Sequence, residues 1–217
     1  FNNIGHVYGR LGRSDRAIAN YQQALELERK LKRPASLVYV LNNIGMEYLR
    51  VGKYNDVLKY LQEAIEIDKK RNNPHLIETR LNNIGAIYLK QGRFRDAEAV
   101  FLERKKLEDR IKPNRLLHPG LVEVYLKTGR YDEALRLANE ILPTWRDNTN
   151  RHIEYYIQVG LALKGKGNLR EAAINLMNAI DLIEEMRQTV TERGQFFAGG
   201  GYYSRLTSYK TIISVLA

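Results

Sequence analysis

A five-residue word returns at a fixed interval along this chain. Phe1-Asn2-Asn3-Ile4-Gly5 recurs as Leu41-Asn42-Asn43-Ile44-Gly45 and as Leu81-Asn82-Asn83-Ile84-Gly85, 40 residues apart each time. A second marker is a glycine twelve residues into each unit: Gly12, Gly52 and Gly92, continuing at Gly129 and Gly167 with spacings of 37 and 38. Five units follow. Self-similarity on this scale is the mark of a repeat architecture. Each unit is too small to bury its apolar face alone and does so by stacking on its neighbours.

Each glycine divides two helical patterns. Before it, apolar residues fall at i, i+3 and i+7, as in Leu41, Ile44, Tyr48 and in Leu81, Ile84, Tyr88, which places them on one stripe of a helix. Beside the stripe stands a small residue (Gly5, Gly45, Gly85, Gly160). Glycine costs about 1 kcal/mol inside a helix, so its return there implies close approach of another helix. After the turn a second stripe follows, such as Ala17, Tyr21, Ala24 or Ala97, Val100, Phe101. Asp56, Asp96, Glu133 and Glu171 fall in the first turn of the second helices, where they complement the positive end of the helix dipole. Pro34, Pro74 and Pro113 read as punctuation in the return loops.

This register resembles the tetratricopeptide repeat: a large residue, a leucine-like residue with Gly, then Tyr, and later Ala, an aromatic and Ala. The first unit supplies Phe1, Ile4, Gly5, Tyr8, Ala17, Tyr21 and Ala24. The fifth supplies Tyr156, Val159, Gly160, Leu163, Ala172, Leu176 and Ala179. The repeat of that family usually has 34 residues; six more imply longer helices, a form similar to the kinesin light chain, the spindle-orientation adaptors and many bacterial signalling proteins. The resemblance implies an all-α fold, a right-handed superhelix of antiparallel helix pairs. Five pairs are expected over about 1–40, 41–80, 81–117, 118–150 and 151–187, with a glycine-containing loop and an amphipathic capping helix over 188–217. Two departures stand out. Arg104 replaces the second Ala of the third unit, and Pro119-Gly120 opens the fourth, which predicts a shortened first helix there.

A stacked array of this kind presents its first helices to a groove that receives a peptide or a partner helix. Off the packing stripe lie Asn2/Asn3, Asn42/Asn43 and Asn82/Asn83. An asparagine amide offers a donor and an acceptor, so such a ladder suits a peptide backbone; the competing reading is that one Asn of each pair ties neighbouring repeats. Next come His6 and Met46, then Arg10, Arg50, Lys90 and Lys127 in the same register. A basic ladder holds acidic side chains or a C-terminal carboxylate, although cations at helix C-termini are stabilising in any case. The second helices end in further clusters: Arg29, Lys30, Lys32, Arg33; Lys69, Lys70, Arg71; and Arg104, Lys105, Lys106, Arg110, Lys112. If used, that edge would meet an acidic protein or a nucleic acid.

Charge bears on the partner. The net charge is +10, and it is concentrated: residues 1–117 hold 23 Lys and Arg against 14 Asp and Glu, residues 118–217 hold 12 against 11. A basic first half favours an acidic protein or peptide, with nucleic acid or a nucleoprotein as the alternative, or it serves solubility. There are no cysteines, which excludes disulfides, thiolate metal sites and a cysteine nucleophile within these residues. No apolar run approaches the roughly 18 residues that span a bilayer, so no membrane partner is expected, and a cytoplasmic location is the simplest expectation. His6, His75, His118 and His152 have neither metal-binding nor triad spacing. Gly199-Gly200-Gly201 lacks the Gly-Lys-Ser/Thr of a phosphate loop. No cofactor and no catalytic site are expected.

After the repeats, Ile180, Ile183 and Met186 extend the last second helix, and Tyr202, Tyr203, Leu206, Tyr209, Ile212, Ile213 and Leu216 form a new amphipathic pattern. The passage from Met186-Arg187 through Phe196-Phe197 to Tyr209 and Leu216 resembles bacterial proteins that carry a caspase-like (CHAT) domain after such repeats. That resemblance implies a sensor or docking arm of a protease, in some cases beside an RNA-guided nucleoprotein. The chain opens on Phe1 inside a helical pattern, which reads as part of something longer. The leading expectation is a protein- or peptide-binding scaffold within a larger regulatory or signalling protein; direct nucleic-acid binding through the basic edge comes third.

Overall fold

The computed structural model describes residues 1–111, 119–142 and 149–192, with the side chains of the last helix described through Arg187. Among these residues every element is a helix. The order is α1 (Asn2–Arg10), α2 (Ser14–Lys30), α3 (Pro34–Arg50), α4 (Tyr54–Lys70), α5 (Pro74–Lys90), α6 (Phe94–Ile111), α7 (Pro119–Lys127), α8 (Tyr131–Ile141), α9 (Thr149–Gly165) and α10 (Leu169–Glu192). The chain divides into two compact units, Phe1–Pro113 and Asn114–Ala217.

The turn glycines explain how each pair is made. Gly12, Gly52, Gly92, Gly129 and Gly167 all have positive φ, between 70° and 80°. A Cβ at any of them would meet open space, so the requirement is conformational: only glycine enters the left-handed region without strain. Each such residue ends a first helix. At the first turn the amide of Gly12 bonds the Gly9 carbonyl and that of Arg13 bonds the Tyr8 carbonyl, which satisfies the last carbonyls of α1. The residue after the glycine then covers the repeat's tyrosine. The Arg93 guanidinium lies 4.3 Å from the Tyr88 ring centre and that of Arg130 lies 4.2 Å from Tyr125; Lys53 stands 6.0 Å from Tyr48. In the first pair Arg16 takes this place over Tyr8.

Pro34 and Pro74 lie inside the helices, at the first turns of α3 and α5, and not in the return loops as their sequence suggests. A first-turn position has no intrahelical N–H bond to lose, and the fixed φ of proline suits a helix start. Asn73 caps α5 by accepting from the Leu76 amide. The return loops instead hold positive φ at Lys32 and Asn72. It follows that the helix pairs run 34–70 and 74–111, and a boundary drawn at Leu41 falls in the middle of α3. A boundary at 187 likewise falls inside α10. Pro113 and the tail expected to form a capping helix lie outside the described residues.

Two clusters form the core of the first unit. One joins Tyr21, Ala24 and Leu25 of α2 to Val40, Leu41 and Ile44 of α3 and Ala64 of α4. The next joins Leu58, Leu61 and Ile65 of α4 to Leu81, Ile84 and Ile87 of α5. Each fully buried large side chain contributes about 1.5–3 kcal/mol. The small residues act as expected at three of four sites: a Cβ on Gly5, Gly85 or Gly160 would come within 2.7 Å of Tyr21, 2.5 Å of Phe101 or 2.7 Å of Leu176. At Gly45 the nearest atom would be 4.0 Å away, so no close approach explains that glycine. In the second unit α7 begins at Pro119 and has nine residues, while Ile153 of α9 packs with Leu176, Ala179 and Ile183 of α10.

Candidate functional site: the groove between the first three helices

Five of the twelve sequence-predicted groove residues converge on one recess. Its volume is about 320 Å³, and His6, Arg10, Asn43, Met46 and Arg50 line it together with Gly9, Tyr21 and Glu47. The floor is Tyr21 of α2 and the walls are the C-terminal half of α1 and the middle and end of α3.

The polar groups at the floor are fixed by one another. Arg50 donates to the carbonyl of Gly9 at 2.6 Å and to the carboxylate of Glu47, so α3 is clasped onto the end of α1. Glu47 is buried, and its carboxylate sits where a Cβ on residue 9 would be, 2.5 Å from that point. A side chain at residue 9 would displace the Glu47 carboxylate from this position. Burial first, and the Glu47 carboxylate second, push the Tyr21 hydroxyl above its ordinary range; Tyr39 adds to this and Arg50 opposes it. The hydroxyl thus stays protonated and can donate. Asn43 donates to the side-chain oxygen of Asn2 at 3.0 Å, a tie between α1 and α3 that leaves the Asn43 oxygen as an acceptor.

Over this floor stand groups open to solvent. Arg10 and His6 are exposed, and Met46 is 63% exposed. Arg10 has no ion pair among the described residues. Two guanidinium groups against one carboxylate leave one surplus positive charge. The recess therefore favours a single anionic group beside an apolar one.

The remaining predicted residues are placed elsewhere. Asn42 accepts from Arg80 at 2.6 Å, and Arg80 is held in turn by Asp68 at 2.7 Å, so Asn42 belongs to a buried inter-repeat tie. Asn3 and Asn83 are exposed and Asn82 is half-buried; none has a hydrogen-bond partner among the described residues. Lys90 is exposed at the end of α5, and Lys127 ends α7 in the second unit. Of the basic ladder, Arg10 and Arg50 line the recess, and Arg50 is already engaged.

The basic edge is paired in part. Arg29 meets Glu63 at 2.5 Å, Lys69 meets Glu66 at 2.8 Å, and Lys105 meets Asp109 at 2.9 Å. Arg104 does not belong to an edge at all: it is buried and bonds Glu78 at 2.7 Å and Glu108 at 3.3 Å. Lys112 lies outside the described residues. Among the described residues no group of three or more His, Cys, Asp or Glu is arranged to hold a metal, and no helix is long and apolar enough to cross a membrane.

Sequence reasoning missed Gly9, Tyr21 and Glu47. A signal was present: the positions of Gly9 and Glu47 are Leu89 and Ile87 in the third unit, so a charge and a glycine replace apolar residues in the first two.

Helical hairpins stacked through first-helix stripes and small-residue notches define a helical-repeat scaffold. The signature of the tetratricopeptide repeat matches residues 1–70 and again residues 82–149, and this chain belongs to the tetratricopeptide repeat family. Solved structures agree in fold. The TPR-like repeats of a kinesin light chain of Podosopora anserina superpose with a TM-score of 0.67 at 15% identity, covering 86% of this chain and 94% of that one. BtubC (BKLC) from P. vanneervenii gives 0.67 at 18%, covering 84% and 78%. MamA gives 0.64 at 21%, covering 85% and 97%. No curated protein matches the sequence. Repeats of this family generally act as non-catalytic scaffolds for protein interaction.

Proposed function

We propose that this chain is a peptide-binding scaffold of a larger regulatory or signalling protein, working in the cytoplasm, and that its acidic partner docks in the recess between α1, α2 and α3. The observation that carries the reading is the convergence of exposed Arg10, His6 and Met46 over a floor whose polar groups are already satisfied. A floor of that kind is pre-organised: Arg50, Glu47 and Asn43 need not reorder when a ligand arrives, which lowers the cost of binding. Arg10 supplies a charge-assisted bond to a carboxylate, and Met46 an adaptable apolar contact.

The test is quantitative capture from the source lysate with the intact chain and with Arg10→Glu and Met46→Asp, each with and without nuclease. Loss of a charge-assisted hydrogen bond, about 1.5–3 kcal/mol, lowers partner recovery on the order of tenfold or more. Proteins that survive nuclease and are lost with either variant support the groove. An unchanged set with both variants, or a set that vanishes with nuclease, overturns it; the latter outcome moves the weight to the basic edge and a nucleoprotein.

A further inference from the structure

The recess of the first unit contains a residue that the repeat pattern does not call for. The place of Glu47 is held by Val7 in α1 and by Ile87, buried, in α5; the place of Gly9 is held by Leu49 in α3 and Leu89 in α5. Apolar side chains at both positions are therefore what the repeat itself packs. Here one is a carboxylate and the other has no side chain, and the two changes fit each other: the Glu47 carboxylate lies 2.5 Å from where a Cβ of residue 9 would stand. Burying a carboxylate costs free energy that an isoleucine does not cost. Its consequence is electrical. Arg50 engages one terminal nitrogen with the Gly9 carbonyl, at 2.6 Å, and the other with Glu47, so its charge is matched within the recess. The field of Glu47 also reaches the floor, where only burial does more to raise the Tyr21 hydroxyl. With Arg50 matched, exposed Arg10 supplies the surplus charge at the lip, beside His6 and Met46.

We propose that Glu47 sets the charge of the anion this recess accepts, selecting a carboxylate group of the partner over a phosphoryl group. The proposal rests on the docking of an acidic partner in the recess. A carboxylate brings one negative charge, which Arg10 matches. A phosphoryl group brings close to two charges and three strong acceptor oxygens, and two guanidinium groups suit it better than one. Arg10 and Arg50 both line the recess, and the buried carboxylate of Glu47 withholds the second of them. Specificity of this kind comes from a repulsive element set against the wrong ligand as much as from attraction to the right one. Glu47 acts through Arg50 and through its own field, so it is a positioning residue and need not touch the partner.

The experiment titrates the chain with two peptides, acetyl-Ala-Leu-X-Leu-Ala-amide with X glutamate or phosphoserine. It reads the methyl resonance of Met46, one of three methionines, in protein labelled at the methionine methyl groups. At pH 8 phosphoserine is close to doubly charged, since its second pKa is about 6. In the parent chain the glutamate peptide binds more tightly than the phosphoserine peptide. Glu47→Gln keeps an acceptor for Arg50 and removes the charge. Coulomb energy scales with the product of the charges, so a gain of about threefold for the glutamate peptide becomes about tenfold for the phosphoserine peptide. Adding Asn43→Asp to Glu47→Gln restores a charge one turn away and returns the ratio of the two affinities toward that of the parent; a role for Glu47 in packing alone would not follow charge in this way. A phosphoserine peptide that binds the parent as tightly as the glutamate peptide, or a ratio that Glu47→Gln leaves unchanged, overturns the proposal and leaves the docking of an acidic partner standing. If neither peptide moves the Met46 resonance of the parent, the docking reading falls and this proposal falls with it.

Discussion

The two units build the same helix pair under different constraints. In the first, α3, α4 and α5 each have 17 residues, and the buried ties are charged: Asp68–Arg80–Asn42 between repeats and Glu78–Arg104–Glu108 within the third helix pair. In the second, α8 has eleven residues, and the ties made by α9 are neutral: Tyr155 donates to Asn139 at 2.8 Å and Gln158 to the Pro119 carbonyl at 3.4 Å, while the Lys166–Asp132 ion pair at 2.5 Å is exposed. What survives in the short pair is the region around its turn. Gly129 keeps its positive φ, and Leu121, Val122, Ala134 and Ala138 stay buried. The information that makes a pair is concentrated beside the turn, and the far ends of the helices are free to vary in length and in the chemistry of their ties.

Arg80 and Tyr155 occupy the same register, twelve residues before Gly92 and Gly167, so they sharpen this contrast most. Arg80→Met leaves the fully buried carboxylate of Asp68 with only the longer Arg71 contact, at 3.7 Å, and costs up to about 3–5 kcal/mol in denaturant unfolding. Tyr155→Phe removes one neutral hydrogen bond and costs about 0.5–1.5 kcal/mol. Asp68→Leu combined with Arg80→Met recovers most of the loss, since apolar residues of similar size replace a buried ion pair at little cost. Equal effects of the two single variants break the comparison.

The turn and stripe were legible because they are local: positive φ at one position and spacing of three or four residues write themselves into the sequence. Arg104 was misread because one of its partners, Glu78, lies 26 residues away, and a cationic run at a helix end reads as a solvated edge until the facing helix α5 covers one member. Asn42 and Arg50 were visible as ladder members, but their partners Arg80 and the Gly9 carbonyl come from the neighbouring repeat. The repeat was drawn from Leu41 because the recurring word starts there, while the helix starts at Pro34.

The notch glycines give a smaller effect with opposite signs. Gly85→Ala places a Cβ 2.5 Å from the buried Phe101 ring, and Gly160→Ala places one 2.7 Å from Leu176 and 3.3 Å from the Ala172 carbonyl. Each costs about 1–3 kcal/mol of overpacking. Gly45→Ala meets nothing nearer than 4.0 Å and stabilises by up to about 1 kcal/mol through helix propensity. Thermal unfolding of the three variants separates notch from propensity. Destabilisation by Gly45→Ala comparable to that of the other two would mean that the second and third repeats pack alike.

The smallest expected effect concerns charge, and it again divides the units. The first unit's recess carries surplus positive charge; in the second, Glu154 of α9 faces Glu123 of α7. Desolvation first, and the Glu123 carboxylate second, raise the Glu154 carboxyl above the ordinary glutamate range, with Arg151 opposing. A carboxyl whose folded value is raised binds its proton more tightly in the native state than in the unfolded chain. Its contribution is fully present below the unfolded value and is lost as pH rises through the raised folded value. Glu154 therefore adds stability to the second unit as pH falls through the carboxylate range, against the general trend of acid destabilisation. The Glu154 side chain keeps an exposed face, so solvent screening holds the effect small. Glu154→Gln removes this pH dependence from the exchange of α9 amides and leaves that of α3 and α4 unchanged. A profile for α9 that is identical in Glu154→Gln and the parent chain would show that the two carboxylates are screened from each other and that the units do not differ in this respect.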